Sequence, residues 1–149
     1  MRKATIDEHK EIMGIFKTHI EWFPHIRNDY IERMILAGNC IYEDGVVITF
    51  LKYKKRGHMK QFDVPAGNVI LHQIVNGNQF SGKGGQMLDK FFKFCAVDVW
   101  LNVRDDNMIA RKFYEKHGMA YMGEAWTGNG LKLAIYKKEA FNPFLKLDK

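Results

Sequence analysis

The hydrophobic pattern of the first forty residues has the period of helices. A short strand over residues 3–5 is predicted to lead into a helix over residues 7–18, in which apolar positions recur on one face. A second helix is predicted to begin near Asn28 and to end at Gly38, because glycine is the residue that most often terminates a helix. The chain therefore starts with two amphipathic helices.

From residue 40 onward the pattern has the character of strands. Two strand-like runs flank Asp44 and Gly45, a dipeptide that is typical of a type I′ hairpin turn. A looser segment, in which two glycines and a proline interrupt the pattern, precedes a strand over residues 69–75. This part of the chain predicts a hairpin followed by a separate strand.

The second half of the chain alternates between the two periods. After a glycine-rich loop, the pattern predicts a helix over residues 85–96 and a strand over residues 98–103. A second helix, which Asn107 caps and Gly118 ends, follows over residues 107–117. A final antiparallel pair of strands is predicted over residues 119–126 and 131–138. This alternation predicts an α/β fold in which helices pack on one mixed sheet. With 149 residues, the chain is expected to form a single domain, residues 1–149.

Composition excludes several classes of protein. A hydrophobic fraction of 46% is typical of a globular protein, and no apolar run reaches the roughly 20 residues that span a bilayer, so no membrane partner is expected. The first residues lack the apolar core of a signal peptide, and Cys40 and Cys95 are too few for a disulfide framework, so a cytoplasmic location with free thiols is predicted. The histidine and cysteine spacings do not favour a metal site.

The charge balance favours an anionic partner. The formal net charge is +6 and the isoelectric point is about 9.3. The densest basic run, "KYKKRGHMK" over residues 52–60, lacks regular aromatic interleaving. A solvated hairpin end is therefore favoured over a nucleic-acid-binding surface, although nucleic acid stays open as a partner.

The glycine-rich loop "GNQFSGKGG", residues 77–85, suggests phosphate binding. It approaches the nucleotide-binding pattern G-x-x-x-x-G-K-[ST], but Gly84 stands where that pattern needs a hydroxyl for Mg²⁺, which disfavours an ATP site. A loop that leaves a strand and opens a helix directs backbone amides at one point, and its glycines let a phosphate come close. Pyrophosphate binding is therefore reasonable, while a simple turn explains the loop equally well on its own.

Two motifs together resemble a known family. Read as Gln79-x-x-Gly82-x-Gly84, the loop resembles the Q/R-x-x-G-x-G/A signature of the GNAT superfamily of acyl-CoA N-acyltransferases. The downstream segment "LNVRDDNMIARKFYEKHGM" resembles the second signature of that family, with matches at Asn107, Ala110, Phe113, Tyr114, Gly118 and Met119. The resemblance covers residues 69–121. It implies a GNAT-like fold with about seven strands, about four flanking helices and splayed central strands.

The resemblance implies an acetyl-CoA-dependent N-acetyltransferase without a metal. The loop would bind the pyrophosphate of acetyl-CoA, and the strand before it would pair with the pantetheine arm. Asn107 would contact the pantetheine, a role that can coexist with helix capping. Arg111 and its lysine neighbours lie near the expected nucleotide end, where each is more readily explained as a solvated surface charge. The implied cofactor-binding residues are Ile74, Val75, Gln79, Phe80, Ser81, Gly82, Lys83, Gly84, Gly85, Asn107, Ala110, Phe113, Tyr114 and Lys116.

Two residues are candidates for proton transfer. Tyr114 matches the family tyrosine that protonates the leaving thiolate, and the alternative is a tyrosine that only packs beside Phe113. His72 has a suitable unperturbed pKa for a general base, although a strand histidine is more often a hydrogen-bonded core residue. Glu43, Asp63 and a water chain are rivals for the role of base, and the resemblance implies a water relay as the default, because the family has no universal base residue.

The acceptor is expected to be a small-molecule or peptide amine. Trp22, Phe23 and His25 are candidates for an aromatic wall of its site, and the alternative is a turn whose aromatic residues fasten two helices to the sheet. A non-catalytic acyl-CoA sensor and a protein that acts on protein or RNA are the alternative functions. A homodimer through the last strands and residues 139–149 is open, as is closure of the sheet by the same segment.

Overall fold

The computed structural model describes residues 1–78 and 81–140. Within those residues the chain forms eight strands, four α-helices and one short 3-10 helix at Ile6–Glu8. The helices are α1 (His9–Thr18), α2 (Asn28–Leu36), α3 (Lys83–Cys95) and α4 (Met108–Lys116). The strands are β1 (Cys40–Glu43), β2 (Val46–Lys52), β3 (Gly57–Met59), β4 (Phe62–Val64), β5 (Val69–Asn76), β6 (Val99–Arg104), β7 (Ala120–Trp126) and β8 (Lys132–Lys138).

The chain divides into two compact units. Unit 1 comprises Met1–Leu51 and Leu71–Leu88, and unit 2 comprises Lys52–Ile70 together with the chain from Asp89 onward. Strand β5 and helix α3 each contribute residues to both units. The two units carry different parts of the predicted chemistry.

Unit 1 packs helices α1 and α2 with strands β1, β2 and β5. The turn between β1 and β2 has positive φ at Asp44 (53°) and Gly45 (79°), as a type I′ turn requires, and the predicted hairpin is confirmed. Helix α2 ends where Gly38 adopts a φ of 76°, which confirms the predicted stop. The buried apolar core of this unit consists of Ala4, Ile12, Met13, Phe16, Ile31, Met34, Ile35, Cys40, Val47 and Val75.

Unit 2 is built on the strand order β5–β6–β8–β7. Its first contact is the parallel pairing of β5 with β6, which covers only two residue pairs, Val69 with Val99 and Ile70 with Trp100. The remaining strands pair antiparallel. Helix α4 begins as predicted, because the Asn107 side chain accepts a hydrogen bond from the Ala110 amide at 3.1 Å.

The predicted fold class is confirmed, and two local predictions are wrong. The described residues form a mixed α/β structure with a mostly antiparallel mixed sheet. The segment expected to be loose contains the β3–β4 hairpin, whose Met59 and Val64 are buried in the core of unit 2. The strand predicted over residues 3–5 is reduced to one bridge, between Lys3 and Ile41, because the chain turns into the 3-10 helix at Ile6.

No helix in the described part of the chain combines the length and the apolar character needed to cross a bilayer. Both cysteines are free thiols, as predicted, with Cys40 buried and Cys95 partly exposed.

Candidate active site

The glycine-rich loop in unit 1 is held in shape by its own polar groups. The Asn78 amide donates to the Asn76 side-chain oxygen at 2.8 Å, and the Ser81 amide donates to the Asn78 carbonyl at 3.2 Å. The Ser81 hydroxyl accepts from the Lys83 amide at 3.3 Å and from the Asn76 side-chain amide at 3.4 Å. These bonds connect the described residues at the end of β5 with those at the start of α3.

Helix α3 opens two residues earlier than predicted, and this brings more glycine into its first turn. The helix begins at Lys83, so Gly84 and Gly85 lie in its first turn, where backbone amides have no acceptor within the helix. The Gln86 amide donates to the Gly82 carbonyl at 3.4 Å, and Gly82 has a φ of 78° that favours glycine. Because the Lys83 amide donates to Ser81, the amides of Gly84 and Gly85, together with the helix dipole, are the groups that make this end of α3 suitable for an anion.

Part of the predicted cofactor site lies outside the described residues. Gln79 and Phe80 are not among the residues that the structure describes, so their roles stay predictions. In unit 1, Val75 is buried in the core, and Ile74 is partly exposed. The side chain of Val75 is therefore committed to packing, and only its backbone is left for the predicted contact with pantetheine.

His72 belongs to a hydrogen-bonded cluster of three elements in unit 1. Its Nδ1 lies 2.6 Å from the Tyr30 hydroxyl, which lies 3.2 Å from the Gln73 side-chain oxygen. That oxygen also accepts a short hydrogen bond from the hydroxyl of Thr49. His72 is partly exposed, and burial lowers its pKa, so its imidazole is neutral at pH 7. A neutral, accessible imidazole is a competent proton acceptor.

The two carboxylates that rival His72 as base have other partners. Asp63 forms an ion pair with Arg56, whose Nε lies 2.8 Å from one carboxylate oxygen, and this hydrogen bond lowers the pKa of Asp63. Glu43 accepts a hydrogen bond from the Arg2 amide at 3.0 Å. A carboxylate with a lowered pKa holds a proton weakly, so His72 is better matched than Asp63 to deprotonating an amine near neutral pH.

Tyr114 lies on α4 in unit 2, among other aromatic rings. Its ring centroid is 5.6 Å from that of Phe113 and 6.4 Å from that of Tyr136. Burial raises the pKa of Tyr114, so the phenol is protonated at neutral pH. Within residues 1–78 and 81–140 its hydroxyl has no hydrogen-bond partner. The predicted acid therefore carries a proton that no described neighbour accepts.

Arg111 is not the solvated surface charge that the sequence suggested. Its side chain is 17% exposed, and its guanidinium donates to the Tyr136 hydroxyl and to the Asp105 carbonyl, each at 3.0 Å. The guanidinium also lies 5.3 Å from the centroid of the Tyr121 ring. Because these partners come from a loop and two strands, no local pattern could have revealed them. Lys116, by contrast, is exposed.

The other predicted cofactor residues of unit 2 lie on the same helix. The side-chain oxygen of Asn107 is used in the cap, which leaves its NH₂ group for a ligand. Ala110 is partly buried, and the Phe113 ring packs 5.0 Å from that of His117. These side chains are therefore fixed in place by the helix and its cap.

The three aromatic candidates for the acceptor site differ in their surroundings within unit 1. The ring of Phe23 makes an edge-to-face contact with that of Phe16, with 5.1 Å between the ring centroids, and it packs on the core. This agrees with the alternative interpretation, in which these aromatic residues fasten the helices to the sheet. Trp22 is 37% exposed and His25 is exposed. Of the three, Trp22 and His25 present their side chains at the surface.

Comparison with solved structures identifies this architecture. A GNAT-family acetyltransferase from Bacillus cereus ATCC 10987 matches with a TM-score of 0.71 over 94% of this chain and 96% of its own, at 18% sequence identity. The chain has the GNAT fold. A second example of the GNAT fold, yncA from Salmonella typhimurium, was solved with its cofactor acetyl-CoA. It matches with a TM-score of 0.66 over 95% of this chain and 93% of its own, at 13% identity.

Sequence comparison finds a protein that is similar to this chain over most of its length. A 5-NmdU N-acetyltransferase from Pseudomonas phage PaMx11 is 26% identical over 141 residues, which are 89% of this chain and 95% of that protein. No protein-family model matches the chain. The resemblance that two motifs indicated is therefore confirmed for the fold.

Proposed function

We propose that the chain is an N-acetyltransferase that moves an acetyl group from acetyl-CoA to a primary amine by direct attack. The observation that carries this proposal is the opening of α3 by Gly82, Lys83, Gly84 and Gly85, which presents backbone amides in a GNAT fold. The phage relative, named an N-acetyltransferase, supports transfer of an acyl group.

The proposed binding of acetyl-CoA follows the motif residues. The amides of the α3 opening, together with Gln79 and Phe80, hold the pyrophosphate, whose charge the helix dipole and Lys83 offset. The backbone of residues 72–75 and the NH₂ group of Asn107 bind the pantetheine arm. Ala110, Phe113 and Lys116 complete the contacts along α4.

In the proposed reaction, His72 removes a proton from the acceptor ammonium. The amine nitrogen then forms a bond to the thioester carbonyl carbon, and the carbon–sulfur bond breaks as the tetrahedral intermediate collapses. The second proton of the nitrogen is lost to solvent as the amide forms, and solvent restores the proton of Tyr114 and the free base form of His72 after product release. His72 fits this role because burial lowers its pKa and keeps its imidazole neutral. The amine pKa near 10.4 of a lysine-like acceptor makes this deprotonation necessary at pH 7.

Tyr114 is proposed to give its proton to the departing thiolate. Burial raises the pKa of the phenol, which by itself would weaken it as an acid. The same desolvation raises the pKa of a thiol, as it does for Cys40 and Cys95 of this protein, both to about 12. A thiolate that is desolvated in the same way is therefore a stronger base than a solvated one, which reduces the difference in pKa between thiol and phenol.

A nucleic-acid-borne amine is the second candidate acceptor, since the phage relative is named for 5-NmdU. The net charge of +6 and the exposed basic segment of unit 2 favour an anionic acceptor. In that segment Arg56 is paired with Asp63, while four lysines are exposed, namely Lys52, Lys54, Lys55 and Lys60.

Calorimetric titration with acetyl-CoA and a turnover assay test the proposed function. We expect binding of acetyl-CoA, no binding of ATP with Mg²⁺, and acetylated product from a panel of amines that includes free 5-NmdU and an oligonucleotide that contains it. Binding of acetyl-CoA without any turnover would favour an acyl-CoA sensor. Preference for the oligonucleotide, with a steep decrease at higher salt, would favour the nucleic-acid acceptor.

A further inference from the structure

We propose that Tyr30, backed by Gln73 and Thr49, is a positioning residue that holds His72 with its proton on Nδ1 and its lone pair on Nε2. The inference rests on the proposed role of His72 as the base of the reaction. It assigns a purpose to three polar residues that match neither GNAT motif.

The direction of the hydrogen bonds follows from what each atom can do. The Gln73 side-chain oxygen can only accept, and it faces two hydroxyls, that of Thr49 in a short contact and that of Tyr30 at 3.2 Å. A carbonyl oxygen has two lone pairs, so both hydroxyls can donate to it at once. Tyr30 has one proton, and giving it to Gln73 leaves only lone pairs toward His72.

His72 must then supply the proton of its own contact with Tyr30. The two atoms are 2.6 Å apart, a hydrogen-bond distance that needs one proton between them. With the Tyr30 proton directed to Gln73, that proton is the one on Nδ1 of His72. The opposite arrangement would set the oxygens of Tyr30 and Gln73 at 3.2 Å with no proton between them, which is repulsive.

The cluster is anchored on rigid elements of unit 1. Thr49 is fully buried on β2, and His72 and Gln73 are neighbours on β5. The Tyr30 ring packs against the core of unit 1, and the Arg33 guanidinium lies 6.0 Å from its centroid. Burial also raises the pKa of Tyr30 and lowers that of His72, so both stay neutral at pH 7 and the proton order is preserved.

The consequence is a base with a defined direction. A neutral imidazole accepts a proton only at its unprotonated nitrogen, which in this arrangement is Nε2. After it accepts the proton, the imidazolium still donates from Nδ1 to Tyr30, so the ring does not have to reorient during the reaction.

Long-range ¹H–¹⁵N correlation spectra of the imidazole at pH 8 test the proton order without any substrate. The His72 signals are assigned by their loss in His72→Gln. We expect the Nδ1–H tautomer in the wild type and in Gln73→Glu, whose carboxylate still accepts from both hydroxyls. Gln73→Met removes the acceptor, so Tyr30 is free to donate to Nδ1 and the tautomer is expected to switch to Nε2–H. An Nε2–H tautomer in the wild type would overturn the proposal.

A double-mutant cycle tests whether Tyr30 acts through His72. We expect Tyr30→Phe to lower kcat by about tenfold, the order of magnitude for one lost hydrogen bond, with the KM for acetyl-CoA unchanged. In the His72→Gln background the same change is expected to have no further effect, because the group that Tyr30 orients is already absent.

Tyr42→Phe, which alters a tyrosine outside the cluster, is the matched control and should keep wild-type kcat. Equal losses from Tyr30→Phe in both backgrounds would contradict the positioning role. Absence of acetyl transfer in the wild type would overturn the proposed function alone, since the spectra report the proton order independently.

Discussion

Tyr30 of unit 1 and Tyr114 of unit 2 are both tyrosines whose pKa is raised by burial, yet their hydroxyls have opposite surroundings. The Tyr30 hydroxyl contacts a histidine nitrogen and an amide oxygen. The Tyr114 ring lies near those of Phe113 and Tyr136, and in the described chain its hydroxyl has no hydrogen-bond partner.

The difference shows how one residue type can serve two purposes. A phenol whose proton is already directed to a neighbour cannot release it to a reacting group without breaking that bond. A phenol whose hydroxyl has no hydrogen-bond partner keeps its proton available, although burial makes it less ready to ionise. Tyr30 is therefore suited to orient another group, and Tyr114 is suited to donate.

The largest expected effect separates these two functions by kinetics. Tyr114→Phe should lower kcat by at least about 100-fold, because loss of a general acid typically costs 10²–10⁴ in rate. The affinity for acetyl-CoA, measured by calorimetry, should be unchanged. If the variant retains wild-type kcat, Tyr114 only packs against its neighbours and is not the general acid.

A smaller effect is expected in the pH dependence of kcat/KM. Because burial lowers the pKa of His72, its basic form persists below the ordinary value of 6.5, and activity is lost only as the pH falls through the lowered pKa. At pH values more than one unit below that midpoint, kcat/KM should fall about tenfold for each further pH unit. The acidic limb should be missing in His72→Gln, and a midpoint above 6.5 would argue against the buried imidazole as base.

The smallest effect concerns stability and tests the surroundings of the two hydroxyls directly. Tyr30→Phe should lower the free energy of unfolding by about 1–2 kcal/mol, because it leaves Nδ1 of the partly buried His72 without its hydrogen bond to Tyr30. Tyr114→Phe should change it by less than about 0.5 kcal/mol, since no described hydrogen bond is lost. Urea denaturation of both variants measures the difference. Equal losses of unfolding free energy would contradict the claim that the two hydroxyls have different surroundings.

The sequence predicted those parts of the fold whose signals are local. Asp44 and Gly45 predicted the first hairpin because both residue types tolerate positive φ. The β3–β4 hairpin was missed because its strands have three residues each and its turn places Lys60, an uncommon residue for a φ of 57°, in the left-handed region.

In the candidate site, too, features with a local sequence signal were predicted and features that depend on tertiary packing were not. The α3 opening and the motif residues of α4 were predicted, since each occupies one continuous stretch of sequence. The hydrogen-bonded cluster of His72 combines residues of α2, β2 and β5, and the partner of Arg111 on β8 is 25 residues away, at Tyr136. Contacts of this kind depend on how elements pack, and no spacing in the chain encodes them.

The two cysteines have a practical consequence for any study of this protein. With both thiol pKa values raised to about 12, Cys40 and Cys95 are almost entirely protonated at the pH of an ordinary assay. Electrophilic dyes and mild oxidants react with thiolates, so they should largely spare the polypeptide. A colorimetric sulfhydryl reagent would then count the coenzyme released at each turnover against a nearly blank background.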